Sequence, residues 1–283
     1  MGPLELSPQV FAILSSLIEE RTGLHYGLMD RELLADKAGT RAQDAGFESL
    51  LDYYYFLRYD PGGEQEFAAL VESLVVNETY FFREYPPLEV LVREVLQPKA
   101  AAGGRVRVWS AACSTGEEPL TLAMMLDAAG LLDRVELVAS DISPRVLARA
   151  QGGLFGRRAV RQLPAPALAQ RYLQQEGEGW RVERRLVDAV HWRQVNLTEP
   201  AQVAALGTFD AVVCRNVLIY FRDETVRQVV GRLGERLGPG GVLLVGVSES
   251  LLRFSTEFVG EEHRGAFLYR KAGGTAGGKA GGP

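Results

Sequence analysis

The 283-residue sequence predicts a mostly parallel β-sheet covered by helices, preceded by a small all-α unit. Three observations lead there. From Val106 onward, short apolar runs alternate with helical patterns, the signature of a layered α/β unit. Before Val76, apolar residues recur only at helical spacing. Charge changes at the same place: residues 1–76 hold 13 acidic and 5 basic side chains, a balance of -8, whereas the rest hold 23 and 26, a balance of +3.

In the first unit, Ser7 followed by Pro8 reads as an N-cap and first-turn pair. Val10, Phe11, Leu14, Leu17 and Ile18 then keep helical spacing until Gly23. A second helix is expected from Arg31 towards Ala45, ended by Gly46. Leu50, Tyr53, Tyr54 and Leu57 mark a third, closed by Asp60, Pro61, Gly62 and Gly63, and Phe67, Leu70, Val71 and Leu74 mark a fourth. The aromatic run Tyr53 to Phe56 is expected to pack against neighbouring helices. In the second unit, strands are expected at Val106–Ser110, Val135–Ser140, Phe209–Cys214, Gly241–Gly246 and Phe267–Arg270, and helices at Pro119–Leu126, Pro144–Ala150 and Glu224–Leu237. The alternation lapses between Gln151 and Arg193, an arginine-rich stretch read as an insertion with short antiparallel strands at Trp180–Glu183 and Leu186–Val190. The expected division is a helical domain over 1–76, a linker and junction helix over 77–99, the α/β domain over 100–272 with its β insertion at about 151–193, and a flexible glycine-rich tail over 273–283.

Composition narrows the function classes. A hydrophobic fraction of 47% and a charged fraction of 24% exclude wholesale disorder. A net charge of -5 argues against a nucleic-acid or anionic-membrane surface. Two cysteines, Cys113 and Cys214, cannot build a disulfide framework, and the first residues lack the order of a secretion signal, so a cytoplasmic location is expected. No apolar run reaches the roughly 18 to 20 residues that span a bilayer, so no direct membrane insertion is expected.

Three segments carry chemistry. After the first strand comes Ser110-Ala-Ala-Cys-Ser-Thr-Gly-Glu-Glu-Pro119, where a nucleotide-binding sheet has its strand-to-helix turn. Only Gly116 is a glycine, so the G-x-G-x-x-G fingerprint is missing, and Glu117 and Glu118 would repel a pyrophosphate. A ligand with positive charge is favoured instead. Asp141 ends the second strand 25 residues beyond Gly116, where a carboxylate accepts hydrogen bonds from ribose hydroxyls; its other reading is a turn or N-cap aspartate before Pro144. A ribose with a cationic amino-acid portion and no phosphate describes S-adenosyl-L-methionine. Asn77-Glu-Thr-Tyr-Phe-Phe-Arg-Glu84 lies at the junction of the units, and Cys214-Arg-Asn-Val-Leu-Ile-Tyr-Phe221 follows the fourth strand at the edge where substrate enters.

Together these segments resemble the CheR-type chemotaxis receptor (protein-glutamate) O-methyltransferases, and the likeness covers nearly the whole chain apart from the tail. The resemblance implies a doubly wound, Rossmann-like methyltransferase sheet with a small antiparallel β insertion, preceded by a small all-α N-terminal domain. It implies S-adenosyl-L-methionine as cofactor, S-adenosyl-L-homocysteine as product and the cytoplasmic domain of a methyl-accepting chemoreceptor as partner. By similarity, Asn77, Thr79, Arg83, Glu118, Asp141, Asn196, Leu197, Arg215 and Asn216 bind the cofactor, and Arg83 and Tyr220 are the catalytic candidates. No metal is implied: His25, His191 and His263 show no ligand spacing. The acceptor is a carboxylate already ionised at neutral pH, so neither a general base nor a triad is expected. Arg31, Lys37 and Arg41 are offset by Asp30, Glu32, Asp36 and Asp44, unlike the basic second helix of members that dock receptors there. The compact stretch around Glu176 to Glu183 favours recognition without a receptor C-terminal pentapeptide. Two alternatives remain open: a cofactor-binding regulatory module, and a methyltransferase of the same fold serving a non-chemotactic receptor pathway.

Overall fold

The computed structural model describes residues 4–254 and 257–272. They fall into two compact units, one made by the chain up to Glu78 with Tyr220–Val226, the other by Thr79–Ile219 with the chain from Arg227 on. The glycine-rich tail over 273–283 lies outside the described residues.

The first unit is helical. Helix α1 (Pro8–Thr22) starts where the Ser7 hydroxyl accepts the Val10 N–H at 3.3 Å and stops at Gly23, whose φ of 78° needs no Cβ to be avoided. Helices α2 (Arg31–Asp44), α3 (Leu50–Tyr59) and α4 (Gly63–Leu74) follow. Their apolar stripes, among them Leu14, Ile18, Leu34, Leu50, Leu70 and Leu74, form the core of this unit. Beside that core the Glu66 carboxylate accepts Arg41 Nε and Nη2 at 2.7 and 2.6 Å and the Tyr53 hydroxyl at 2.7 Å. Of the aromatic run, Tyr53 is fully buried while Tyr55 is 52% exposed. The expectation that the whole run packs inward is corrected by the helical period, which turns 53 and 57 to the core and 55 to solvent.

The second unit is a layered α/β fold. In chain order it contains α5 (Tyr85–Val90), a π-type stretch over Leu91–Leu96, α6 (Gln97–Ala101), β1 (Val106–Ala111), α7 (Glu117–Ala128), β2 (Val135–Asp141) and α8 (Pro144–Gly152). Then come β3 (Leu154–Phe155), α9 (Pro166–Tyr172), β4 (Leu173–Glu176), β5 (Gly179–Val182), α10 (Arg184–Asp188), β6 (Val190–Gln194) and α11 (Pro200–Ala204). The chain ends with β7 (Phe209–Cys214), α12 (Asp223–Glu235), β8 (Leu237–Val245), β9 (Phe258–His263) and β10 (Ala266–Lys271). The first turn of α12 groups with the helical unit.

Seven strands form one sheet in the order β6-β2-β1-β7-β8-β10-β9. The first five are mutually parallel, and β10 runs antiparallel to both β8 and β9. A second sheet of β3, β5 and β4 is small and antiparallel. Strand order turns around at β1, whose neighbours are β2 on one side and β7 on the other, so a crevice opens beyond the carboxyl ends of β1 and β7. The central strands are almost wholly buried, as helix-covered parallel strands must be. Trp109 is fully buried in β1 and donates its indole N–H to the Ser140 hydroxyl of β2 at 2.8 Å.

Three expectations about elements are corrected. Leu186–Val190 is not an antiparallel strand: Arg184 and Asp188 pair at 2.7 Å across one turn, Leu186 and Val187 are buried, and the segment is α10 followed by the start of β6. Strand β6 itself belongs to the main sheet, pairing with β2. Strand β8 begins at Leu237 rather than Gly241.

Candidate functional site

At the crevice the chain adopts conformations that side chains usually avoid. Among the described residues six non-glycine residues have positive φ: Phe82, Glu84, Ala112, Ser114, Asn216 and Arg264. All but Arg264 lie in the segment before α5, the loop after β1 or the turn after β7. Such strain persists only where surrounding contacts over-determine it, and it concentrates at working sites.

The β1–α7 loop is held from β2. Asp141, at the last position of β2, accepts the Ser114 N–H on Oδ2 at 2.8 Å and the Ser143 N–H on Oδ1 at 3.0 Å. Gly116, with φ of 93°, ends this loop; a Cβ there would lie 2.6 Å from the Ala150 Cβ and 3.0 Å from the Trp192 ring. Helix α7 then begins with two acids of different duty. The Glu117 carboxylate takes the Thr115 hydroxyl at 2.6 Å. Burial pushes that carboxyl above its ordinary range, and Thr115 and its own backbone N–H oppose the rise. A carboxylate in the first turn of α7 disfavours a phosphate at that helix end.

Glu118 faces the second cluster. Its Oε1 accepts the Ser110 hydroxyl at 2.7 Å and its Oε2 accepts Arg215 Nη1 at 3.0 Å. Arg215, one residue beyond β7, also donates Nη2 to the Arg83 carbonyl at 2.7 Å and to Glu84 Oε2 at 3.0 Å. Its side chain is only 2% exposed, and its buried Nε has no hydrogen-bond partner among the described residues. Burial lifts the Glu118 carboxyl above its ordinary range despite the Arg215 guanidinium. At Glu84 burial pushes the same way, yet Arg215, Asn216 and the Val247 N–H outweigh it and the carboxyl lies below its ordinary range.

Asn216, at φ 59°, is pinned twice: its N–H donates to Glu249 Oε2 at 2.6 Å and its Nδ2 to Glu84 Oε1 at 3.2 Å. Glu249 also accepts the N–H of Gly246 at 2.8 Å and of Ile219 at 3.3 Å, tying the ends of β7 and β8 together.

The structure therefore brings Arg83, Glu118, Asp141, Arg215 and Asn216 to the carboxyl edge of the sheet. Thr79 opens the segment that runs to Glu84, and that segment is fastened to α7 by the Phe82 N–H on the Thr121 hydroxyl at 3.1 Å. The Arg83 guanidinium stands 5.9 Å from the centre of the Tyr80 ring. Asn196 and Leu197 follow β6; the Asn196 side-chain oxygen accepts the N–H and hydroxyl of Thr198 at 3.0 and 2.8 Å, and Leu197 is buried. Asn77 and Tyr220 group with the helical unit, where Asn77 is exposed and the Tyr220 carbonyl accepts the His25 N–H at 2.9 Å. Sequence reasoning missed Glu84 and Glu249 as parts of the cluster. Glu84 ends the segment Asn77 to Glu84, and its place next to Arg83 is its one local signal. Burial holds the thiols of Cys113 and Cys214 well above their ordinary range, which makes them unreactive packing groups.

Residues 77–265 match the family model described as CheR methyltransferase, SAM binding domain. Chemotaxis protein methyltransferase 2 of Vibrio cholerae is 34% identical over 276 residues, covering 96% of this chain and 96% of its own. Chemotaxis protein methyltransferase 1 of Pseudomonas aeruginosa is 35% identical over 250 residues, covering 85% of this chain and 90% of its own. Among solved structures, an rRNA methyltransferase of Streptomyces viridochromogenes aligns with a TM-score of 0.43 and 15% identity over 70% of this chain and 88% of that one.

Proposed function

Because the chain belongs to the CheR methyltransferase family, we propose that it transfers the methyl group of S-adenosyl-L-methionine to glutamate side chains of chemoreceptors, forming glutamyl methyl esters in chemotactic adaptation. The chain is an S-adenosylmethionine-dependent methyltransferase with a Rossmann-like sheet. Among the described residues no helix is long and apolar enough to cross a membrane.

The observation that carries the reading is the donor set at the β1–β7 crevice. Glu84, Glu118 and Asp141 outnumber the Arg83 and Arg215 cations there, and Glu117 adds a carboxylate at the start of α7, so the site suits a cationic nucleoside without phosphate. The orphaned Arg215 Nε adds one unmet donor. In this reading Asp141 accepts the ribose hydroxyls, Asn196 and Leu197 flank the adenine, and Glu118 receives the amino group. Asn77, Thr79, Arg215 and Asn216 complete the proposed cofactor-binding set. Arg83 serves the methionine end and Tyr220 the orientation of the acceptor.

The cofactor supplies an electrophilic methyl group on a sulfonium. The acceptor glutamate, with a reference pKa near 4.3, arrives ionised, so the chain has no proton to remove. Its residues act by alignment and by exclusion of water, effects worth several kcal/mol. We assign binding and chemistry to residues 77–272, and receptor recognition to the helical domain over 1–76 and the β insertion over about 151–193, acting in the cytoplasm.

The test is transfer of radiolabelled methyl from the cofactor to purified receptor cytoplasmic domains. The expected product is a receptor-bound ester that releases methanol in mild base. Label that stays base-stable, or that appears on no receptor while the chain binds the cofactor, overturns the glutamyl-ester reading.

A further inference from the structure

A single turn of 3-10 helix over Arg157–Val160 packs against the segment that carries Arg83. The Ala159 carbonyl accepts the Phe81 N–H at 2.8 Å, and Ala159 itself is buried. With that residue turned inward, Arg157, Arg158 and Arg161 are exposed. The Arg161 guanidinium lies 4.1 Å from the centre of the Tyr80 ring, and the Arg83 guanidinium lies 5.9 Å from it, so one aromatic ring carries two cations. The Arg83 carbonyl in turn accepts Arg215 at the crevice. A basic rim thus runs from the insertion to the edge of the candidate site.

The rim is built from sequence without counter-charges. Residues 151–172 hold four arginines and no acid. Arg171 is turned to Asp127 at 3.6 Å, and Arg157 meets Glu178 at 3.5 Å in a pair 77% and 91% exposed, which is worth little. The helical unit offers the reverse. In α2 each basic side chain is engaged within the unit: Arg31 Nε on the Leu6 carbonyl at 2.8 Å, Lys37 Nζ on the Leu74 carbonyl at 2.9 Å, and Arg41 on Glu66. The exposed charges of that helix are Glu32, Asp36 and Asp44.

We propose that the rim of Arg157, Arg158 and Arg161 is the docking surface for the glutamate-bearing segment of the protein acceptor, and that α2 is not. This rests on the reading of the chain as a protein-glutamate methyltransferase. An acceptor with glutamates to esterify is an acidic surface before it reacts, so it is drawn to the three cations and repelled by the outward acids of α2. Each ester formed removes one negative charge from that surface. The methylated product therefore holds the rim less tightly than the unmodified acceptor, and the arginines favour release after transfer.

The test measures methyl transfer to a purified receptor cytoplasmic domain by the full chain, as wild type and as three double variants: Arg157→Glu with Arg158→Glu, Arg157→Lys with Arg158→Lys, and Glu32→Lys with Asp36→Lys. At low ionic strength the glutamate pair is expected to raise KM for the receptor at least about tenfold, with kcat and S-adenosylhomocysteine affinity within about twofold of wild type. In about 0.5 M salt the difference shrinks to less than about threefold. The lysine pair keeps the charge and stays within about threefold of wild type, and the α2 pair leaves KM unchanged or lower. Should the glutamate pair show no cooperative melt, Arg157→Gln with Arg158→Gln removes half as much charge and raises KM about threefold. An unchanged KM in the glutamate pair overturns the proposal. So does a loss that persists in high salt, is shared by the lysine pair or comes with weaker S-adenosylhomocysteine binding, and so does a tenfold rise in KM from the α2 pair. A wild type that binds S-adenosylhomocysteine but esterifies no receptor glutamate overturns the acceptor reading itself, and the rim falls with it.

Discussion

The Asp141 carboxylate and the Ser114 backbone N–H, 2.8 Å apart, join the end of β2 to the loop after β1. The bond spans 27 residues of chain and holds Ser114 at φ 50°. A carboxylate in that place has two duties, supporting a strained loop and presenting oxygen to the crevice.

Asp141→Asn separates the two duties. The amide keeps one acceptor for a backbone N–H, so the fold survives with a stability loss of about 1–2 kcal/mol. The cofactor site loses an acceptor for ribose hydroxyls, and affinity for S-adenosylhomocysteine is expected to drop at least about tenfold. Calorimetry beside urea unfolding measures both; unchanged affinity in a folded variant excludes Asp141 from ligand contact.

Every replacement of Arg215 is expected to cost either stability or cofactor affinity. Its removal leaves Glu84 and Glu118 buried beside each other without a cation, a defect of about 3–5 kcal/mol. Arg215→Lys keeps the charge but cannot reach Glu118, Glu84 and the Arg83 carbonyl with one planar fork, so cofactor affinity should fall in a chain that still melts cooperatively. Thermal unfolding and ligand titration of both variants check this.

Gly116→Ala meets two obstacles, a positive φ and a Cβ position 2.6 Å from Ala150. Destabilisation of about 2–4 kcal/mol is expected, read by urea midpoint. A companion Ala150→Gly should restore part of it, because it removes the nearest obstructing atom.

Asp127 gives the fold an acid-sensitive tie. Arg185 first, then Tyr172 and Arg171, outweigh a small burial effect and pull its carboxyl from 3.8 down to about 2. A carboxyl depressed in the folded state stabilises above its unfolded pKa, and that contribution disappears as pH falls through the folded value. Asp127→Asn is therefore expected to lower stability by about 1 kcal/mol at neutral pH, the figure discounted because Arg185 is half-exposed, with no difference below about pH 2. Urea unfolding at descending pH shows whether the two curves converge.

Glu118 titrates in the opposite sense, since burial raises its carboxyl. Protonation on acidification leaves Arg215 and Glu84 a neutral pair, with Ser110 and the Cys113 thiol as the other groups around it. Affinity for S-adenosylmethionine should begin to weaken at a pH above that at which an exposed glutamate titrates, and Glu118→Gln should flatten that dependence.

The buried strands were the most legible part of the sequence. Val106–Ala111 and Phe209–Cys214 read as strands because both runs are mostly apolar and mostly buried, broken by Arg107 and Ser110 in the first and by Asp210 in the second. Strand β6, with His191, Arg193 and Gln194 exposed, sits at the sheet edge and carries no such run, so only its pairing with β2 identifies it. The same logic divides the crevice. Asp141 and Glu118 stand at strand and helix ends that local pattern locates. Glu84 gains its role from Arg215 and Val247, 131 and 163 residues further on, and no local pattern announces partners at that distance.

Those separations bear on how the protein comes into being. While synthesis proceeds from the amino end, Glu84 and Glu118 leave the ribosome long before the guanidinium they share, and Val247 emerges later still. A nascent chain stopped short of Arg215, just beyond β7, holds two uncompensated acids where the finished protein holds a clamp. Competence to bind ligand should thus arrive abruptly, near the completion of translation, rather than growing with chain length.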